Sequence, residues 1–119
     1  MPAAKTYKGS CHCGKVSYEV TTDLANVISC NCSMCSRAGT LLTFVPAEEF
    51  KLLSGEDNLT DYRFNKHIIH HVFCSTCGIK SFARGVGPGG KEMRAINVRC
   101  LEDVNLDALD VKKVDGKRL

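Results

Sequence analysis

Seven of the eight cysteines fall in three tight groups: Cys11-His12-Cys13, Cys30-Asn31-Cys32-Ser33-Met34-Cys35 and Cys74-Ser75-Thr76-Cys77-Gly78. No other feature restricts the fold of this chain as strongly, because C-x-C and C-x-x-C are metal-ligand spacings and each group must be brought to a centre. The two outer pairs together supply four thiolates, the number that closes a tetrahedral zinc site. Such a site would join segments some sixty residues apart in the sequence. The central three are one ligand short, which leaves a position for water or an exogenous thiol, or for a fourth ligand from elsewhere. An even count of cysteines also fits a secreted disulfide scaffold, but the spacings favour metal in a reducing compartment.

The remaining composition sets the scale. A chain of 119 residues is one domain with a modest core, and with no tryptophan and only 7% aromatic residues it gains from metal cross-links. There is no run of eighteen apolar residues, and Met-Pro-Ala-Ala-Lys-Thr-Tyr lacks the apolar segment of a signal peptide. The expectation is a soluble, cytoplasmic protein with no membrane partner. The formal charge of +3 assumes neutral thiols; seven thiolates and two Zn²⁺ bring it to zero. The basic residues are scattered, the densest group being Lys112, Lys113, Lys117 and Arg118, so a nucleic-acid-binding stripe is not indicated.

Hydrophobic alternation predicts a mainly β chain. Residues 1–6 read as a loose terminus. In the stretch 7–20, Val16, Tyr18 and Val20 alternate with polar residues as in a half-buried strand. An extended backbone through Cys11 and Cys13 would put both thiols on one side, with His12 pointing away. Further strands are expected over 27–29, 41–45, 51–54, 59–64, 67–73, 79–84 and 95–100, with an edge strand over 111–114 and a tail to 119. Pro46-Ala47-Glu48-Glu49-Phe50 reads as one helical turn, and a second falls within 101–109. Gly85-Val86-Gly87-Pro88-Gly89-Gly90 reads as a wide hairpin loop, because it lacks the Lys-Ser or Lys-Thr ending of a phosphate loop.

The outer pairs read as a structural zinc site. Gly78 permits a tight turn after Cys77 in which backbone N–H groups can reach the thiolates. A redox role for Cys74 and Cys77 would need a thioredoxin-like βαβ context, which is missing. From spacing alone the trio Cys30, Cys32 and Cys35 is open to both a catalytic and a structural reading. Candidate fourth ligands are Cys100, His67, His70 and His71. An iron–sulfur cluster fits the spacing less well. The histidines of 67–71 otherwise read as strand-surface side chains, with His67 and His71 on one face and His70 on the other, and Cys100 reads as a buried apolar thiol.

Three stretches, Gly9-Ser10-Cys11-His12-Cys13-Gly14-Lys15-Val16, Cys30-Asn31-Cys32-Ser33-Met34-Cys35-Ser36-Arg37 and Phe73-Cys74-Ser75-Thr76-Cys77-Gly78, closely resemble the glutathione-dependent formaldehyde-activating enzyme family, which includes centromere protein V. The likeness extends through Leu53-Ser54-Gly55, Tyr62-Arg63-Phe64 and Ile96-Asn97-Val98-Arg99-Cys100-Leu101, and so covers roughly residues 7–110. It implies a β-tent-like fold of several small antiparallel sheets bridged by zinc. It implies that Cys11, Cys13, Cys74 and Cys77 hold a structural zinc and that Cys30, Cys32 and Cys35 hold a second, catalytic one. The implied activity is that of a carbon–sulfur lyase adding glutathione to formaldehyde to give S-(hydroxymethyl)glutathione. The alternative is a non-catalytic zinc module that binds glutathione or a protein partner.

Overall fold

The structure, a computed structural model, describes residues 4–63 and 69–115. The described residues build three small sheets and one short α-helix. The first sheet pairs β1 (Lys5–Ser10), β2 (Ser17–Thr22) and β5 (Phe50–Ser54) in antiparallel order β1-β2-β5. A five-stranded sheet has the order β10-β3-β4-β9-β8, from β3 (Val27–Cys30), β4 (Leu42–Pro46), β8 (Phe82–Val86), β9 (Glu92–Asn97) and β10 (Val111–Val114). The third sheet is β6 (Leu59–Tyr62) with β7 (His71–Cys74). Helix α1 (Ser33–Ala38) follows β3 directly.

The mainly β reading therefore holds, with several differences of detail. Pairing begins at Lys5, opposite Thr22, within the stretch read as loose. Cys11 and Cys13 lie in a turn and not in an extended strand: Cys11 N donates to Val16 O at 3.0 Å and Gly14 takes φ +81°. The strand expected over 95–100 starts earlier and ends at Asn97, whose side chain accepts from Arg99 N and opens a 3-10 turn over Val98–Cys100. Part of the expected strands over 59–64 and 67–73, including His67, lies outside the described residues. Strand β10 forms the edge of its sheet, as expected, but pairs parallel to β3, with Val114 opposite Cys30.

The core sits where the first two sheets meet. Val16, Tyr18 and Val20 are all at most 1% exposed, as their alternation requires, and pack with Val27, Phe82, Ile96 and Val98. The Tyr18, Phe50 and Phe82 rings form a cluster with centroids 4.7–5.8 Å apart, a range that favours edge and tilted contacts. Burial pushes the Tyr18 hydroxyl well above its ordinary range, which keeps it a donor to Ser81 O at 3.3 Å. Among the described residues no helix is long and apolar enough to cross a membrane.

Gly55 ties this framework to the first cysteine turn. It takes φ +91°, and a Cβ there would lie 2.4 Å from Lys15 O and 2.8 Å from Val16 Cα. Both are backbone atoms of the segment that closes the Cys11 turn, so the clash cannot be relieved by a rotamer change. Gly55→Ala is expected to cost roughly 3 kcal/mol from strain and overpacking together. Thermal unfolding checks this, with Tm falling by on the order of 10 °C.

Candidate metal centres

The first centre is assembled by two turns from distant parts of the chain. Cys11 Sγ and Cys13 Sγ are 3.6 Å apart, and Cys13 Sγ is 3.6 Å from Cys74 Sγ. With Cys77 all four sulfurs lie within 4.8 Å of one another. A tetrahedron with ~2.3 Å metal–sulfur bonds has sulfur–sulfur edges of about 3.8 Å, so the set fits a four-coordinate ion. The separations are far too long for a disulfide, and all eight cysteines are free.

Both turns supply donors to the sulfurs, as the Cys-x-x-Cys-Gly pattern suggests. Val16 N reaches Cys11 Sγ at 3.4 Å and Cys77 N reaches Cys74 Sγ at 3.5 Å, while Asn58 Nδ2 adds a side-chain donor to Cys74 Sγ at 3.3 Å. Gly78 at φ +79° lets its N–H turn back to Cys74 O at 2.8 Å. The amides of Cys13 and Ile79 hold the Cys77 thiol down to about 6. Donors aimed at sulfur stabilise thiolates and so prepare the centre for a cation. Cys11 and Cys74 are buried and Cys13 is exposed, so the centre lies at the surface over the end of the core. His12 is exposed and stands outside the sulfur cluster.

The second centre is built on the start of α1. The sulfurs of Cys30, Cys32 and Cys35 also lie within 4.8 Å of one another. Cys30 ends β3, Cys32 is the N-cap of the helix, and Cys35 occupies its first turn. Cys32 Sγ accepts from Cys35 N at 3.3 Å, so the residue that would bind metal also caps the helix. Burial alone would raise the Cys32 thiol, yet the amides of Cys35 and Met34 and the neighbouring thiols bring it below its ordinary value. Burial, chiefly, pushes Cys35 up to about 12. Three soft thiols without a hard oxygen donor suit zinc better than magnesium or calcium. Both centres therefore fit zinc.

None of the described candidates for a fourth ligand joins the trio. Cys100 is half-buried, not the fully buried thiol expected, and its Sγ accepts from Asn97 Nδ2 at 3.6 Å. His70 Nδ1 lies 2.6 Å from Asp61 Oδ2. His71 is buried, at 9% exposure, and not a strand-surface side chain. Lys80 Nζ donates to its Nδ1 at 2.8 Å. Burial, and then the Lys80 charge, lower His71 to about 4, which keeps the ring neutral and able to accept.

Lys80 is a residue that sequence reasoning missed. Its ammonium is partly buried, which lowers its pKa, while the charges of Cys35 and Cys32 pull the other way. It thus offers positive charge to a centre that would carry net −1 with three thiolates and a zinc ion. Lys80, His71, Met34 and Ala38 line a small cavity of about 260 Å³ against the helix. A larger cleft of about 580 Å³ opens on the other side and includes Cys30, Cys35, Arg99 and Lys113. Thr40 in its wall is buried, and its hydroxyl has no partner among the described residues.

Fold and sites together define a small β protein with one four-thiol centre closed by two turns and one three-thiol centre at the mouth of a cleft. The family model for glutathione-dependent formaldehyde-activating enzymes matches residues 6–113, and the chain belongs to that family. A crystal structure of a Rhodobacter sphaeroides protein is similar, with 34% identity and a TM-score of 0.79. The match covers 90% of this chain and 99% of that one.

Proposed function

We propose that this chain is a zinc-dependent carbon–sulfur lyase that joins a small thiol, glutathione by family analogy, to formaldehyde or a related aldehyde. The difference between the two cysteine centres carries the reading. Cys11, Cys13, Cys74 and Cys77 supply the four sulfurs that a tetrahedral ion needs, whereas Cys30, Cys32 and Cys35 supply three, and Cys30 and Cys35 line a cleft. A zinc ion on the trio would supply a Lewis-acidic position at which a thiol loses its proton readily.

The chain's own residues would do the rest. Cys32, fixed as the helix N-cap, and Cys35 in the first turn hold the centre rigid. In the forward direction the thiol sulfur forms a bond to the aldehyde carbon and the carbonyl π bond breaks. The proton that leaves the thiol balances the new hydroxyl, and the product is an S-hydroxymethyl thioether. Lys80, placed beside Cys35 and Cys32, offsets the negative charge that gathers as the thiolate forms.

Aldehyde and thiol also combine unaided, so rate is the test. The zinc-loaded chain should equilibrate glutathione and formaldehyde with S-(hydroxymethyl)glutathione faster than buffer does, as read by exchange NMR. Cys32→Ser should return the rate to that of buffer. A wild-type rate no higher than buffer would refute the lyase and leave a glutathione-binding module.

A further inference from the structure

The larger cleft brings two basic side chains, Arg99 and Lys113, to the side of Cys30 and Cys35. Its floor is the end of β3, with Ser29, Cys30 and Asn31, and α1 contributes Cys35 and Ser36 to its wall. Arg99 stands on one rim. Its Nε donates to Gly39 O at 3.1 Å, which fixes the guanidinium over the end of the helix. The terminal guanidinium nitrogens make no hydrogen bond or ion pair with any described residue. Lys113 stands on the opposite rim, carried there by β10 and paired in register with Ser29. It too is without an ion pair among the described residues. Asp115, which accepts from Asn31 Nδ2 at 2.9 Å, is the acid on the same rim.

We infer that Arg99 and Lys113 are the specificity residues of this centre: they take the two carboxylates of a γ-glutamyl-type peptide thiol. The inference rests on the reading of the trio as a thiol-accepting centre. A tripeptide thiol of this kind carries two carboxylates, which match the two cations of a cleft that also reaches Cys30 and Cys35. The cleft of about 580 Å³ lies within the usual range for small-molecule sites. Arg99 keeps its terminal N–H groups for a forked contact to a carboxylate and is already oriented by Gly39, so less side-chain freedom is lost on binding. A neutral thiol such as 2-mercaptoethanol would gain nothing from this rim.

The test is titration calorimetry on the full zinc-loaded chain, with glutathione and 2-mercaptoethanol as the two probes. Lys113→Gln removes a side chain without an internal partner, so folding is not at issue, and it should weaken glutathione about threefold. Arg99→Gln should weaken it about tenfold or more. Neither change should alter binding of 2-mercaptoethanol. Glutathione affinity unchanged in both variants, or an equal loss for both thiols, overturns the assignment of the rim while the trio keeps its role. Binding of neither thiol by the wild-type chain overturns the reading of the trio itself and the rim with it.

Discussion

Cys13→Ser should leave a chain that no longer folds stably, although the substitution is made at an exposed position. Serine there would ordinarily alter stability by no more than about 0.5 kcal/mol. Cys13 Sγ, however, lies 3.6 Å from both Cys11 Sγ and Cys74 Sγ, at the junction of the two turns. If the four sulfurs hold zinc, binding free energy is folding free energy, on the order of 10 kcal/mol for structural sites at neutral pH. That is comparable with the whole stability of a domain this size. Cys74→Ser should be at least as damaging, but Cys74 is 1% exposed, so part of its effect would come from a poorly packed, unsatisfied hydroxyl. The exposed site separates the metal contribution from packing. Circular dichroism should show loss of the β signal in Cys13→Ser, and a strong chelator should produce the same loss in the wild type. A Cys13→Ser chain with wild-type Tm would show that no metal joins the two turns.

The second large effect is the opposite in kind. Cys32→Ser should abolish metal binding at the trio and all thiol-dependent activity while the sheets remain folded. Serine is itself a good N-cap, so the start of α1 survives: its hydroxyl can accept from the amide now bonded to Cys32 Sγ. The core strands make no use of Cys32, which is half-buried and absent from the central cluster. Stability should fall by about 1 kcal/mol beyond whatever the second zinc contributes. Zinc content, thermal melting and the exchange rate together check this. Global unfolding of Cys32→Ser would remove the division of labour between the two centres.

Much of this arrangement is legible in the sequence, and the reasons are local. Val16, Tyr18 and Val20 announce their strand because one face is buried and the other is not. The sulfur spacings fix which thiols can meet, and Gly78 marks the second turn because φ +79° suits a residue without Cβ. What escapes is either very short or non-local. Helix α1 has six residues and no apolar period, and its N-cap is a cysteine already claimed as a ligand. Its one local sign is Gly39, which ends the helix at φ +69°. The extended reading of Cys11 and Cys13 fails because the C-x-C spacing brings two sulfurs together in a turn as well as in a strand.

The surroundings of the second centre were beyond local pattern. His71 looks like any residue of a surface strand until Lys80 folds across it from the far side of the Cys74–Cys77 turn. Arg99 reaches Gly39 across sixty residues, and Lys113 arrives on a strand that joins its sheet in parallel. Such contacts follow from tertiary register, which composition and periodicity do not encode. The resemblance to the family located the cysteines but carried no assignment for these cations.

Native mass spectrometry of the full chain, with and without glutathione, tests the central claim most directly. Two zinc ions per wild-type chain, one in Cys32→Ser, and a glutathione adduct present only in the wild type are the expected result. One zinc in both proteins, or an adduct that persists in Cys32→Ser, would contradict a thiol-accepting centre at Cys30, Cys32 and Cys35.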